Sequence, residues 1–115
     1  MQTLNRPSFI ATTSTQLDGY TIEQTLGLVR GITVRSRSVV GLIGARLQTV
    51  FGGNISILTD LCEQTRAEAY ETAVVHARAL GGNALIAMRY DATEIMPGVS
   101  EVLCYGTAVI ARPNS

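Results

Sequence analysis

Residues 101–111 read Glu-Val-Leu-Cys-Tyr-Gly-Thr-Ala-Val-Ile-Ala, and this stretch decides the fold. Alternate side chains of a β-strand point to opposite faces of its sheet. One face of this strand carries Val102, Cys104, Ala108 and Ile110, and the other carries Leu103, Tyr105, Thr107 and Val109. A strand that is apolar on both faces is buried on both. Because one layer of helices covers only one side of a sheet, we expect further copies of the chain to cover the other.

Three more strands are predicted upstream, over residues 9–16, 21–36 and 84–95, where β-branched and apolar residues are frequent. In the second of these, Gly27 and Gly31 fall on the face opposite its leucines. Glycine inside a strand indicates a bulge or a close approach of another backbone.

Two helices are predicted between the second and third strands. Ser38 can cap a helix over residues 38–51, and a longer helix spans residues 58–80 before Gly81 and Gly82 end it. At 100° per residue, one stripe of the longer helix contains Leu58, Cys62, Thr65, Ala69, Ala73, His76 and Leu80. The expected fold class is therefore α+β, an antiparallel sheet with two helices packed on one face, in a single domain over residues 1–115.

The composition excludes several classes of protein. Nine basic and nine acidic residues give no net charge, which argues against binding nucleic acid through phosphate neutralisation. No apolar run has the length of a membrane span or of a secretory signal. The two cysteines are expected to be reduced thiols in the cytoplasm. Only 16% of residues are charged and every basic residue is Arg, which favours buried subunit contacts over solvated surface.

Several short motifs occur in an order that resembles the YbjQ family of heavy-metal-binding candidates. They are Asp18-Gly19-Tyr20, Leu28-Val29-Arg30-Gly31, Phe51-Gly52-Gly53-Asn54, the run Ala77–Ala84, and Tyr105-Gly106-Thr107-Ala108-Val109. The resemblance implies an α+β subunit of a ring-shaped homo-oligomer, a pentamer or decamer, in which added strand pairing joins neighbours. The chain departs from the family at Arg89 and Thr93, where acidic residues are common, although Asp91 is kept. This departure argues against an all-oxygen cation site along that strand.

Candidate metal ligands are His76 and Cys104, which are predicted to meet between helix and sheet, and the carboxylates Asp91 and Glu94 near one strand end. The alternative for the first pair is ordinary core packing, and for the second pair a solvated acidic rim.

A second candidate site is cationic. Arg30, Arg35 and Arg37 surround the junction of the second strand and the first helix, and guanidinium groups there can hold a phosphate or a carboxylate. The alternative is ion pairing between subunits.

The leading hypothesis is a cytoplasmic homo-oligomer that binds a metal ion or a small anionic ligand and has no catalytic activity. The alternatives are a structural or interaction module with no ligand of its own, and an enzyme with its site at subunit interfaces. Neither nucleic acid nor a membrane is expected as a partner.

Overall fold

The structure is a computed structural model that describes residues 9–36 and 55–115. Its elements are β1 (Ile10–Ala11), β2 (Tyr20–Ser36), α1 (Ile55–Ala79), β3 (Ala84–Met96) and β4 (Val99–Pro113). The four strands form one sheet in the order β1-β3-β4-β2. The α+β class is confirmed. Within the described ranges there is one helix where two were predicted, and the predicted helix over residues 38–51 lies outside those ranges.

The sheet is mixed, which corrects the prediction of a purely antiparallel one. The short strand β1 runs parallel to β3, with Ile10 opposite Ala84, whereas β4 is antiparallel to both β2 and β3. The strand predicted over residues 9–16 is shortened because Thr12 and Ser14 turn the chain. Their hydroxyl oxygens accept hydrogen bonds from the backbone N–H groups two residues later.

The two glycines of β2 confirm both expectations for glycine in a strand. The register between β2 and β4 shifts at Thr25/Gly27, and Gly27 has a φ of +127°. At Gly31 the helix backbone lies so close that an added Cβ would be 2.5 Å from the amide nitrogen of Ala73. Gly31 therefore sets the distance between α1 and the sheet.

The helix buries a stripe of small residues, Thr65, Ala69, Ala73 and Ala77, spaced four residues apart. The three alanines pack on Val29, Leu85, Cys104 and Ala108 of the sheet. The predicted stripe was wrong at both ends of the helix, where Leu58, Cys62 and Leu80 are exposed. The buried positions instead recur every four residues and end at Ala77. In the described part of the chain, no helix has the length and hydropathy that crossing a membrane requires.

A second apolar cluster lies on the sheet face away from α1. It consists of Leu17, Ala84, Val109 and Ala111, with Ile10, Tyr20, Ile22 and Ile86 packed around them. Leu17 comes from the segment between β1 and β2, which folds back over this end of the sheet. The chain thus covers part of the second face of β4 by itself.

Candidate functional site

The sheet face away from α1 carries exposed apolar side chains beyond the cluster around Leu17. We call this uncovered part of the face the outer face. Directly opposed residues of antiparallel strands share a face, so the pairs Leu28–Thr107, Ile32–Leu103 and Val34–Glu101 all belong to it. Leu28 is 61% exposed, Ile32 46% and Val34 50%. Large exposed apolar patches on small domains are typical of interaction surfaces.

A shallow cavity of about 170 Å³ lies in the middle of the outer face, lined by Leu28, Arg30, Asp91, Leu103 and Tyr105. Its floor is apolar, and a guanidinium and a carboxylate stand on opposite sides. The positions come from β2, β4 and β3 in that spatial order. The structure thus brings together two predicted site residues that were assigned to different sites, Arg30 to the anion site and Asp91 to the metal site.

Arg89 fixes the boundary between the covered and uncovered parts of this face. Its Nη1 donates hydrogen bonds to the carbonyl oxygens of Thr13, at 2.9 Å, and Met88, at 2.8 Å. The backbone N–H of Ala87 also donates to the carbonyl of Ser14 at 2.8 Å. The segment after β1 is therefore held against β3 and leaves the cavity open.

A second cavity, which we call the inner cleft, lies between α1 and the sheet. It measures about 200 Å³ and is lined by Arg35, Leu61, Cys62, Thr65, Arg66, Ala92, Ser100 and Val102. Arg35 makes an ion pair with Glu68, with Nη2 and Oε1 2.9 Å apart. The guanidinium of Arg66 lies 5.8 Å from the ring centroid of Tyr90, within range of a cation–π interaction. The cleft is thus a largely apolar space with two arginines, Arg35 and Arg66, among its lining residues.

His76 is engaged at the edge of the sheet. Its Nδ1 accepts a hydrogen bond of 3.3 Å from the backbone N–H of Arg30 in β2, which is an edge strand among the described residues. This bond satisfies a backbone donor that has no strand neighbour on that side. The packing alternative for His76 therefore has direct support.

Cys104 is fully buried on the helix side of β4. Burial raises the pKa of its thiol above the ordinary value of 9.0. Burial also raises the pKa of Tyr70 and of Tyr90 above the ordinary value of 10.0, and the electrostatic effect of the nearby Cys104 raises both pKa values further. Burial therefore favours the neutral form of each of these three groups over its charged form.

The thiols predict a simple labelling pattern and a pH dependence. Exposed Cys62 should react with a disulfide reagent at once, and Cys104 only as the protein unfolds.

Because the neutral thiol of Cys104 is favoured in the folded state, the unfolded state loses its proton first as the pH rises. The free energy of unfolding should therefore be constant near neutrality and fall above about pH 9. Urea denaturation at several pH values measures this. A Cys104→Ala variant should show a shallower fall, and an equal fall would contradict the assignment.

The four predicted metal ligands do not come together. Tyr90 opposes Cys104 and Asp91 opposes Leu103, so Cys104 and Asp91 lie on opposite faces of the sheet. Glu94 lies by the turn after β3, where its Oε2 accepts a hydrogen bond of 3.1 Å from the N–H of Gly98. Across residues 9–36 and 55–115, no three His, Cys, Asp or Glu side chains converge as metal ligands. The residues that the structure describes do not form a heavy-metal site within one subunit.

The predicted cationic site is also divided. Arg30 lies on the outer face, whereas Arg35 lines the inner cleft on the helix side, so the two do not act on one anion. Arg37 lies outside the described residues. Arg66 is the cleft residue that the sequence reasoning missed. Its position in the sequence, one residue after Thr65 of the buried helix stripe, was the feature that could have indicated it.

Comparisons with known proteins identify a family and a shared fold. The model of the YbjQ family, described as "Putative heavy-metal-binding", matches residues 9–112. A UPF0145 protein of Paraburkholderia phymatum is 63% identical over 105 residues, covering 91% of this chain and 95% of the relative. Another, from Burkholderia thailandensis, is 62% identical over 102 residues, covering 89% and 92%.

A solved structure shares the fold. It is a protein of unknown function of the DUF74 family from Pediococcus pentosaceus, with a TM-score of 0.59 and 20% identity, covering 91% of this chain and 98% of that one. On the extent of the family match and the identity to its relatives, this chain belongs to the YbjQ family.

Proposed function

We propose that the protein is a cytoplasmic, non-catalytic binding protein that works as a ring-shaped homo-oligomer, a pentamer or decamer. The observation that carries the proposal is the uncovered outer face, where Leu28, Ile32 and Val34 are each about half exposed or more. Burying such side chains is favourable by about 25 cal/mol per Å² of apolar area removed from water. The partner that we assign to this face is a second copy of the chain, because further copies are present wherever the protein itself is made.

Two further observations support parts of the proposal. Both cysteines are free thiols, as expected in a reducing compartment. The thiol of Cys104 is buried, and Nδ1 of His76 already accepts a hydrogen bond, so we do not assign these two groups as a nucleophile and its base. The ligand we assign is a small anion with an apolar body, held in the inner cleft by Arg66 and Arg35.

The outer face is tested by a single charge. Leu28→Asp should leave the subunit folded, because that side chain is 61% exposed, and should abolish the oligomer, because burying an unpaired carboxylate is unfavourable. Gln24→Asp is the matched control, since Gln24 is an exposed polar residue of the same strand. Native mass spectrometry reads out both. A wild-type chain that is monomeric at micromolar concentration would refute the proposal.

The same spectra test the ligand. Protein purified without a metal-affinity tag should keep an extra mass per subunit that Arg66→Gln removes, and elemental analysis identifies any metal in it. A clean integer multiple of the subunit mass would favour the alternative, a structural module with no ligand of its own.

A further inference from the structure

The cavity of the outer face is lined by two charged residues without partners in the described part of the chain, Arg30 and Asp91. Among the described residues, the side chains of Arg30 and Asp91 make no hydrogen bond or ion pair, although they stand on either side of the same cavity. Burial in an oligomer would remove both from water. Burying a charge without a partner is strongly unfavourable, so the covering surface has to supply an opposite charge to each.

The register fixes the distance between these two charges. Arg30 pairs with Tyr105, and Asp91 pairs with Leu103 on the other side of β4. They are therefore two interstrand spacings apart across the sheet and two residues apart along it, about 12 Å between Cα atoms. Leu103 and Tyr105 occupy the space between them.

The solvent side of α1 carries the complementary pattern. Glu71, Val75 and Arg78 are separated by four and three residues, so they lie along one line of the helix. That line is opposite the buried stripe centred on Ala69 and Ala73. Val75 is 66% exposed. Seven residues of helix rise about 10.5 Å, which places a carboxylate and a guanidinium at nearly the spacing of Arg30 and Asp91.

We infer that the solvent side of α1 of one subunit docks across the outer face of the next. Glu71 then pairs with Arg30 of the neighbouring copy, Arg78 pairs with Asp91, and Val75 packs on Leu103 and Tyr105. The inference rests on the self-association proposed above and names its two surfaces. Because these surfaces differ, the contact is head-to-tail, and repeated head-to-tail contacts close into a ring when the rotation allows.

One contact within the subunit bears on this arrangement. The guanidinium of Arg78 lies 5.2 Å from the ring centroid of Phe9. A cation–π contact uses the flat face of the guanidinium and leaves N–H groups at its edge to donate to a carboxylate. Arg78 is thereby held in place before a neighbour arrives.

A charge exchange tests the inference. Arg30→Glu should raise the dissociation constant of the oligomer about 30-fold or more, because two carboxylates would then face each other. Glu71→Arg should weaken assembly similarly, and the double variant should recover at least tenfold of the loss. Glu63→Arg is the matched control, since it lies roughly 80° round the helix from Glu71. Sedimentation velocity over a dilution series measures the constants, and far-UV circular dichroism confirms that each variant is folded.

The other outcomes overturn the inference. Recovery of Arg30→Glu by Asp91→Arg in place of Glu71→Arg would show two outer faces packed about a two-fold axis. An Arg30→Glu oligomer as tight as wild type, or one that neither second change restores, would also exclude this docking. In each of these cases Leu28→Asp still reports on the outer face, so self-association can hold while the docking fails.

Discussion

Gly31→Ala should destabilise the fold by about 3 kcal/mol, because among the glycines of residues 9–36 and 55–115 an added Cβ comes closest to other atoms at this position. The added Cβ would overlap the carbonyl oxygen of Ala69, well inside the sum of the van der Waals radii. It would also lie 2.5 Å from the amide nitrogen of Ala73. Both atoms belong to the helix backbone, so no rotamer change removes the overlap. The helix would have to move away from β2, and the contacts of Ala69 and Ala73 with the sheet would loosen together.

Urea denaturation followed by circular dichroism, at one fixed protein concentration, measures the loss. Gly19→Ala is the control, because its Cβ meets no heavy atom within 4 Å and its φ of +82° costs only the strain of left-handed backbone, about 1 kcal/mol. Adding Ala69→Gly to Gly31→Ala should not restore stability, since the overlap is with the carbonyl oxygen and not with the side chain. Equal stabilities of the Gly19 and Gly31 variants would contradict the close approach.

Local signals predicted most of the elements of the fold. The apolar periodicities of residues 21–36 and 58–80 correspond to β2 and α1, and the turns at Gly19, Gly81 and Gly98 each have the positive φ that glycine favours. The length of β1 was not predictable in this way. Threonine and serine favour strands, but their hydroxyls also accept hydrogen bonds from nearby backbone N–H groups, and here the second tendency prevails.

The candidate sites were less accessible to sequence reasoning, because they depend on pairing between distant residues. Arg30 and Asp91 share a cavity only because each aligns with a particular residue of β4. A shift of one residue in either register would send one side chain to the opposite face. Residue type and proximity along the chain grouped Asp91 with Glu94 and Arg30 with Arg35, and strand parity separates both groupings.

Asn83→Ala should cost about 2 to 3 kcal/mol, although Asn83 belongs to no strand or helix. Its Nδ2 donates to the carbonyl oxygen of Ala111 at 2.8 Å, and its Oδ1 accepts from the N–H of the same residue at 2.8 Å. The side-chain amide thus replaces a missing strand residue beside β4. Ala111 is 4% exposed, so removing the amide leaves a donor and an acceptor without partners in a buried position.

Asn83→Asp separates the two hydrogen bonds. The carboxylate still accepts from the N–H of Ala111 but sets an oxygen against its carbonyl, so stability should fall at least as far as in Asn83→Ala. Amide hydrogen exchange resolves the difference: protection of the Ala111 amide, relative to its neighbours, should be lost with alanine and kept with aspartate. A stability loss below about 0.5 kcal/mol for Asn83→Ala would show that water replaces the amide. The pairing would then be incidental. With the loss expected here, the side chain of Asn83 holds the segment after α1 against β4 at Ala111.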